Sequence, residues 1–153
     1  MRVFGSPRAI DAATGDHLGH SDWLCIDADR ITAFADATGD RQWIHVDAER
    51  ARRGPFGAPI AHGYLLLALL PVLSRQVYRV DGAGLAVNYG LDRVRFPTPV
   101  RAGADIRAGV RVLAVADVPG GVQVRSEVTV ELRDSPEPCC VAETLTRWYE
   151  VGP

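Results

Sequence analysis

The chain contains no lysine; all 17 of its basic residues are arginine. Schiff-base chemistry on a lysine amine and lysine-linked pyridoxal phosphate are therefore excluded. Exclusive use of arginine is also what a GC-rich, hence bacterial, coding sequence leaves behind. An excess of either charge is missing too. Nineteen acidic residues against 17 basic ones leave a formal charge of −2, so no strong field draws the 153 residues to nucleic acid or to an anionic membrane. Cysteine is scarce: Cys25, Cys139 and Cys140 are too few for a disulfide framework. The adjacent pair would close only through a strained ring, so reduced thiols in a cytoplasmic protein are expected. Long hydrophobic runs are absent. Met1 to Asp11 has no apolar centre of the secretory kind, and the longest apolar stretch, Tyr64 to Leu73, contains Pro71 and is too short to span a bilayer.

What is present fits one compact domain of residues 1–153 with a core of its own. Residues 1–20 are mixed and glycine-bearing, and only short irregular structure is expected there. Trp23 to Ile26 alternates weakly, as a first strand would. Asp27 or Asp29 then serves as N-cap to a helix through Ile31, Phe34 and Ala35, closed by Gly39. Asp47 starts another short helix that ends at Gly54-Pro55. From Ile60 to about Tyr78 the pattern is helical and apolar on almost every side between Tyr64 and Leu73, so the rest of the fold must enclose it. Pro71 is a fault in that helix, removing one backbone bond.

From Leu85 onward the period changes to two. Strands are expected over Leu85 to Phe96, Ile106 to Val112, Val122 to Leu132 and Val141 to Glu150, with a hairpin at Asp117-Val-Pro-Gly-Gly121. Clean alternation implies an antiparallel sheet with one face on a core. A meander of long strands after one wholly apolar helix makes an α+β domain whose sheet curls round that helix.

Chemistry concentrates in Phe34-Ala-Asp-Ala-Thr-Gly-Asp-Arg-Gln-Trp-Ile-His-Val-Asp47 and Phe56-Gly-Ala-Pro-Ile-Ala-His-Gly63. A carboxylate and an imidazole are the commonest pair for moving protons. Asp40 and His45 are five residues apart, which puts them on diverging faces of a continuous helix. Just past a helix closed by Gly39, the connecting turn lets both point into one pocket. Gly63 falls in the first turn of the apolar helix, where backbone N–H groups lack partners and negative charge is favoured. A glycine there also lets an oxygen approach the backbone closely. Taken singly these residues are ordinary, since a Gly-Asp usually just ends a helix and a lone histidine is usually a satisfied core residue. Asp47 is read as an N-cap and not as an acid. His45, Asp47 and His62 offer no fourth ligand at a convincing spacing, so no metal is expected. Ser74 and Ser126 lack the context of a nucleophile elbow. His17 and His20 are expected in solvent. Arg93 and Arg95, which could reach a phosphate, are read as solvated strand residues.

These motifs together resemble the MaoC-like family of R-specific enoyl-CoA hydratases and hydroxyacyl-thioester dehydratases. The hallmark is a Gly-Asp, four residues, then His-x-Asp, followed by Phe-Gly and Ile-Ala-His-Gly. Arg95-Phe-Pro-Thr-Pro-Val100 is similar to the family's approach to the next strand. The likeness spans about residues 20–150 and implies the hot-dog fold, a homodimer, and water addition to a trans-2-enoyl thioester carried on coenzyme A or an acyl-carrier protein, with no cofactor. It implies that Asp40 and His45 hold the catalytic water, as base and acid in either order, and that the Gly63 N–H receives the thioester oxygen. Gln42 and Trp43 replace the commoner Asn and Pro, and Pro71 stands where some members carry a serine. Gln42, Trp43, Ile60, His62, Asn88 and Tyr89 are weaker candidates for the substrate pocket, His62 as a structural residue bonding a loop carbonyl at its mouth. A hot-dog thioesterase, or a non-catalytic acyl-thioester-binding subunit, are the competing readings, because fold does not fix function.

Overall fold

A computed structural model describes residues 1–150. The strands are β1 (Arg2–Phe4), β2 (His17–His20), β3 (Leu24–Ile26), β4 (Tyr78–Val80), β5 (Ala83–Arg95), β6 (Ala104–Val118), β7 (Gly121–Leu132) and β8 (Cys140–Glu150). The helices are α1 (Ala28–Thr38), α2 (Trp43–Val46), α3 (Ala48–Arg52) and α4 (Gly63–Val77). The main sheet runs β2-β6-β7-β8-β5, with β3 also paired to β6. All of its pairings are antiparallel.

The sheet curls round α4 because the residues of both are matched in pattern. On α4, Leu65, Leu66, Leu69, Leu70, Leu73 and Val77 are buried. Opposite them stand the inward residues of β6 and β7, Ile106, Ala108, Val110, Val112, Val122, Val124, Val128 and Val130, all sealed from solvent. Pro71 sits inside α4 without ending it. With no N–H it leaves the carbonyl four residues earlier without its usual donor.

Full enclosure of α4, expected from its composition, is not what is found. Tyr64, Ala68 and Val72 are exposed, a stripe at helical spacing left bare along one side. Along β5, Leu85, Val87, Tyr89 and Leu91 are also exposed, and among the described residues this 13-residue edge strand pairs only with β8.

The first twenty residues are more regular than expected. Ser6 caps a 3-10 turn over Pro7–Ala13, accepting the Ala9 N–H, with Pro7 at its start. Ile10 and Ala13 from that turn are wholly buried, β1 pairs in parallel with β4, and β2 pairs with β6. His17 and His20 lie on β2, exposed, and His20 meets Glu131 at 3.1 Å. Asp27 is the N-cap of α1, accepting the Arg30 N–H at 2.8 Å, and Asp47 caps α3 through the Arg50 N–H at 2.9 Å. All three cysteines are free, Cys25 exposed on β3 and Cys139 and Cys140 buried. No helix among the described residues is long and apolar enough to cross a membrane.

Leu73 is wholly buried at the centre of the helix–sheet contact. Its truncation to alanine is expected to cost about 2–5 kcal/mol in urea-induced unfolding, because the hydrogen-bonded sheet packed on it cannot collapse into the void. A loss below ~1 kcal/mol would mean that α4 is not clasped as described.

Candidate active site

α1 ends because Gly39 adopts a left-handed conformation, φ 79°, and its N–H closes on the Ala35 carbonyl. Few other residues accept that backbone, so the chain turns sharply there. Asp40 follows at once, and α2 then carries His45 back towards it. One carboxylate oxygen of Asp40, one ring nitrogen of His45 and one of His62 all lie within 4.8 Å of one another. The break between α1 and α2 brings together what the five-residue spacing would separate on a continuous helix.

Backbone bonds fix the two rings. His45 Nδ1–H donates to the Ile60 carbonyl at 2.7 Å, which leaves the Nε2 lone pair free. Ile60 is itself held, donating its N–H to the Ile44 carbonyl at 3.0 Å, while the Ala61 N–H reaches Val100 at 2.7 Å. The His62 ring stacks on His45 with centroids 3.7 Å apart and planes 22° from parallel. His62 Nε2–H donates to the Asp40 backbone carbonyl at 2.9 Å, the loop-carbonyl role expected of it. Its Nδ1 is buried with no partner.

Burial holds the His45 imidazole below its ordinary 6.5. The neighbouring His62 pushes it the same way, while the Ile60 carbonyl and Asp40 pull upward. At neutral pH His45 is therefore unprotonated and its Nε2 is an acceptor. A carboxylate with two imidazoles is a donor set for a divalent cation as well as for a water molecule. Asp47 is not part of it, being engaged as the cap of α3.

Gly63 is the first residue of α4, so its N–H has no acceptor within the helix. The space a side chain would take there is not open to a ligand: a Cβ on Gly63 would lie 2.8 Å from the Phe96 ring. Glycine is required at 63 by the aromatic ring that ends the β5 segment and folds over the helix start. That ring was not singled out from the sequence, although Arg95-Phe-Pro marked its position.

Two adjoining cavities lie between α4 and the strands β5 and β8. The first, of about 610 Å3, has mostly apolar walls that include Phe34, Thr38, Tyr64, Leu67 and Tyr89. Two of its wall residues adjoin the site: the Phe34 ring is 5.1 Å from His62, and the Thr38 hydroxyl accepts the Asp40 N–H at 3.4 Å, while Asp40, His45 and His62 themselves are not among its walls. The second, of about 380 Å3, shares Leu70, Pro71, Asn88 and Thr144 with the first. Asn88 thus borders both cavities. Gln42 and Trp43 border neither: Gln42 is exposed, and the Trp43 ring packs against Gly54 and under Arg50. Ile60 contributes its carbonyl to His45 and no cavity wall. Phe34 and Thr38, four apart on α1, were missed as pocket walls; their helical spacing on the face leading to Asp40 was the available signal.

Residues 9–133 match the model of the MaoC like domain. The 3-hydroxyacyl-thioester dehydratase Z of Mycobacterium tuberculosis is 51% identical over 149 residues, covering 97% of this chain and 99% of that protein. Nodulation protein N of Rhizobium leguminosarum is 40% identical over 141 residues, with 90% and 87% covered. Among solved structures, the unliganded R-hydratase of Pseudomonas aeruginosa superposes with a TM-score of 0.73 at 26% identity, covering 90% of this chain and 83% of that one. The monoamine oxidase regulatory protein of Archaeoglobus superposes at 0.78, with 24% identity and 99% and 98% covered. With the sheet-wrapped helix and the Gly-Asp, His-x-Asp and His-Gly motifs in place, the chain belongs to the MaoC-like dehydratase family and has its hot-dog fold.

Proposed function

We propose that the protein catalyses the reversible hydration of trans-2-enoyl thioesters to R-3-hydroxyacyl thioesters, carried on coenzyme A or an acyl-carrier protein. The observation that carries this reading is the meeting of the Asp40 carboxylate with the His45 imidazole beside the start of α4, next to Phe34 and Thr38, which wall an apolar cavity. The half-identical mycobacterial dehydratase supports it. The reaction is redox-neutral and needs only proton transfer and charge stabilisation, so no cofactor is invoked.

In this mechanism His45 Nε2 takes a proton from a water molecule whose other hydrogen is held by Asp40. The water oxygen bonds to C3, and electron density moves through C2 to the thioester oxygen. The N–H groups opening α4, that of Gly63 first, receive that oxygen. Such a donor is typically worth about 3–4 kcal/mol of barrier. The imidazolium, steadied by Asp40, then returns the proton to C2, so the protein ends as it began. The Ile60 carbonyl keeps Nδ1 protonated throughout, which leaves Nε2 as the one nitrogen exchanging protons.

Crotonyl-CoA hydration, followed as loss of enoyl absorbance, tests this directly. Asp40→Asn and His45→Gln are each expected to lower kcat by roughly 10²–10⁴-fold without unfolding the protein. Equal inactivity of wild type and Asp40→Asn on short, medium and long chains would refute the reading. Thiol release from saturated acyl-CoA would favour a thioesterase instead.

The pH profile follows from His45. Its pKa is lowered by burial, so the reactive neutral form persists below 6.5 and is lost only as pH falls through the folded-state value. The acidic limb of kcat/KM is expected to have its midpoint below 6.5. A midpoint above 6.5 would exclude His45 as the base.

A homodimer completes the proposal. The free edge of β5, with Leu85, Val87, Tyr89 and Leu91 exposed, is a long apolar edge of the kind that pairs with another chain. Sedimentation equilibrium is expected to give twice the 16.6 kDa chain mass, and Val87→Lys to shift the population towards single chains. A fully active monomer would overturn it.

A further inference from the structure

The inward face of the sheet changes character as it approaches β5. Under α4 the β6 and β7 positions are, Ser126 apart, valine, isoleucine and alanine, as a core requires. Further across, the same face presents Ser126, Thr144, Thr146 and Asn88. Asn88 is opposite Thr146, and Thr144 is opposite Ser126, so they form two neighbouring cross-strand rows. Trp148 continues the face, two residues beyond Thr146 on β8. A sheet face that turns polar beneath an apolar helix breaks the pattern that would make the better core, and such breaks mark functional sites.

These side chains line the second cavity, which shares Leu70, Pro71, Asn88 and Thr144 with the apolar one. Two of its groups ask for a ligand. The Trp148 indole N–H is buried and has no hydrogen bond of normal geometry; the Tyr78 hydroxyl is near enough to feel it, easing slightly the burial that raises the Tyr78 pKa, but leaves the donor free for a better acceptor. Ser126 is 4% exposed and borders the cavity. A plain hydrocarbon chain would leave the indole N–H without a good partner, whereas an oxygen acceptor would satisfy it and stand within the same cavity as the Ser126 hydroxyl. Every lining donor on the sheet is neutral, and burial keeps the Tyr78 hydroxyl protonated by pushing its pKa up to about 12. Arg75, the one charged lining group, is exposed.

We infer that the second cavity receives a neutral oxygen carried on the acyl chain, so that the preferred substrates are enoyl thioesters bearing a keto or hydroxyl group beyond the reacting carbons, read by Trp148 and Ser126. This rests on the hydratase reading and adds the substrate class. The apolar cavity holds the stretch of chain between the thioester end and the oxygen.

The test compares trans-2-decenoyl-CoA with a matched series in which a keto oxygen is moved outward one carbon at a time. Wild type is expected to favour at least one keto chain in kcat/KM by about tenfold or more, since a site built to hydrogen-bond discriminates strongly against an analogue that lacks the group. Trp148→Phe and Ser126→Ala are each expected to shrink that ratio towards one. Crotonyl-CoA separates the two readings. If wild type hydrates it but shows no keto preference at any position, this inference fails alone. If wild type turns over no enoyl-CoA, the hydratase reading fails. Should both variants raise KM for crotonyl-CoA and the keto chain by the same factor, the cavity holds the pantetheine arm and the inference is overturned.

Discussion

The packing of the α4 leucines onto the valines of β6 and β7 determines where everything else stands. It lies within the buried apolar cluster that unites helix and sheet, and each leucine it covers is worth ~2 kcal/mol or more of transfer free energy. With those leucines packed on the sheet, the first turn of α4 is held at a fixed place on the sheet's rim. His62, Gly63 and the donors that open the helix are held with it. The segment before the helix is tied to both sides of that rim, through Ile44 and through Val100, so the loop carrying Asp40 and His45 inherits the same reference frame.

Within that frame the local chemistry follows from unequal treatment of two histidines. Both are buried and stacked, and each gives one ring proton to a backbone carbonyl. His45 keeps its second nitrogen near the exposed carboxylate of Asp40. His62 spends its bond on the backbone of that same Asp40, so it braces the acid and abuts the base at once. A carboxylate left in water beside an imbedded imidazole is a cheap way to hold a proton-transfer pair. Only the imidazole is desolvated, and it is desolvated in its neutral form.

Much of this was legible beforehand because it was written in short-range signals. The cap at Asp27, the glycine closing α1, the cap at Asp47 and the period-two strands each depend on a few adjacent residues. Asp40, His45 and His62 were legible as a group through the motif, and the meeting of the first two through the helix break at Gly39. What stayed hidden depended on distant partners. The Phe96 ring over Gly63 joins the end of a strand to the start of a helix. The three buried residues of the 3-10 turn, Pro7, Ile10 and Ala13, make too short a pattern to separate from a loop. Trp43, placed in the pocket by its neighbours in sequence, is drawn away by Arg50 and by the bare surface of Gly54. The open stripe on α4 was invisible for a different reason: composition reports how apolar a helix is, not how far a six-stranded sheet reaches round it.

The three thiols divide by accessibility in a way that has a practical consequence. Cys139 and Cys140 are sealed at the start of β8, where burial raises their pKa to about 12 and about 11, so neither offers a reactive thiolate while the fold is intact. Cys25 alone is open to reagents. An alkylating label therefore attaches once per native chain, and the appearance of second and third adducts by mass spectrometry becomes a clock for the opening of the sheet.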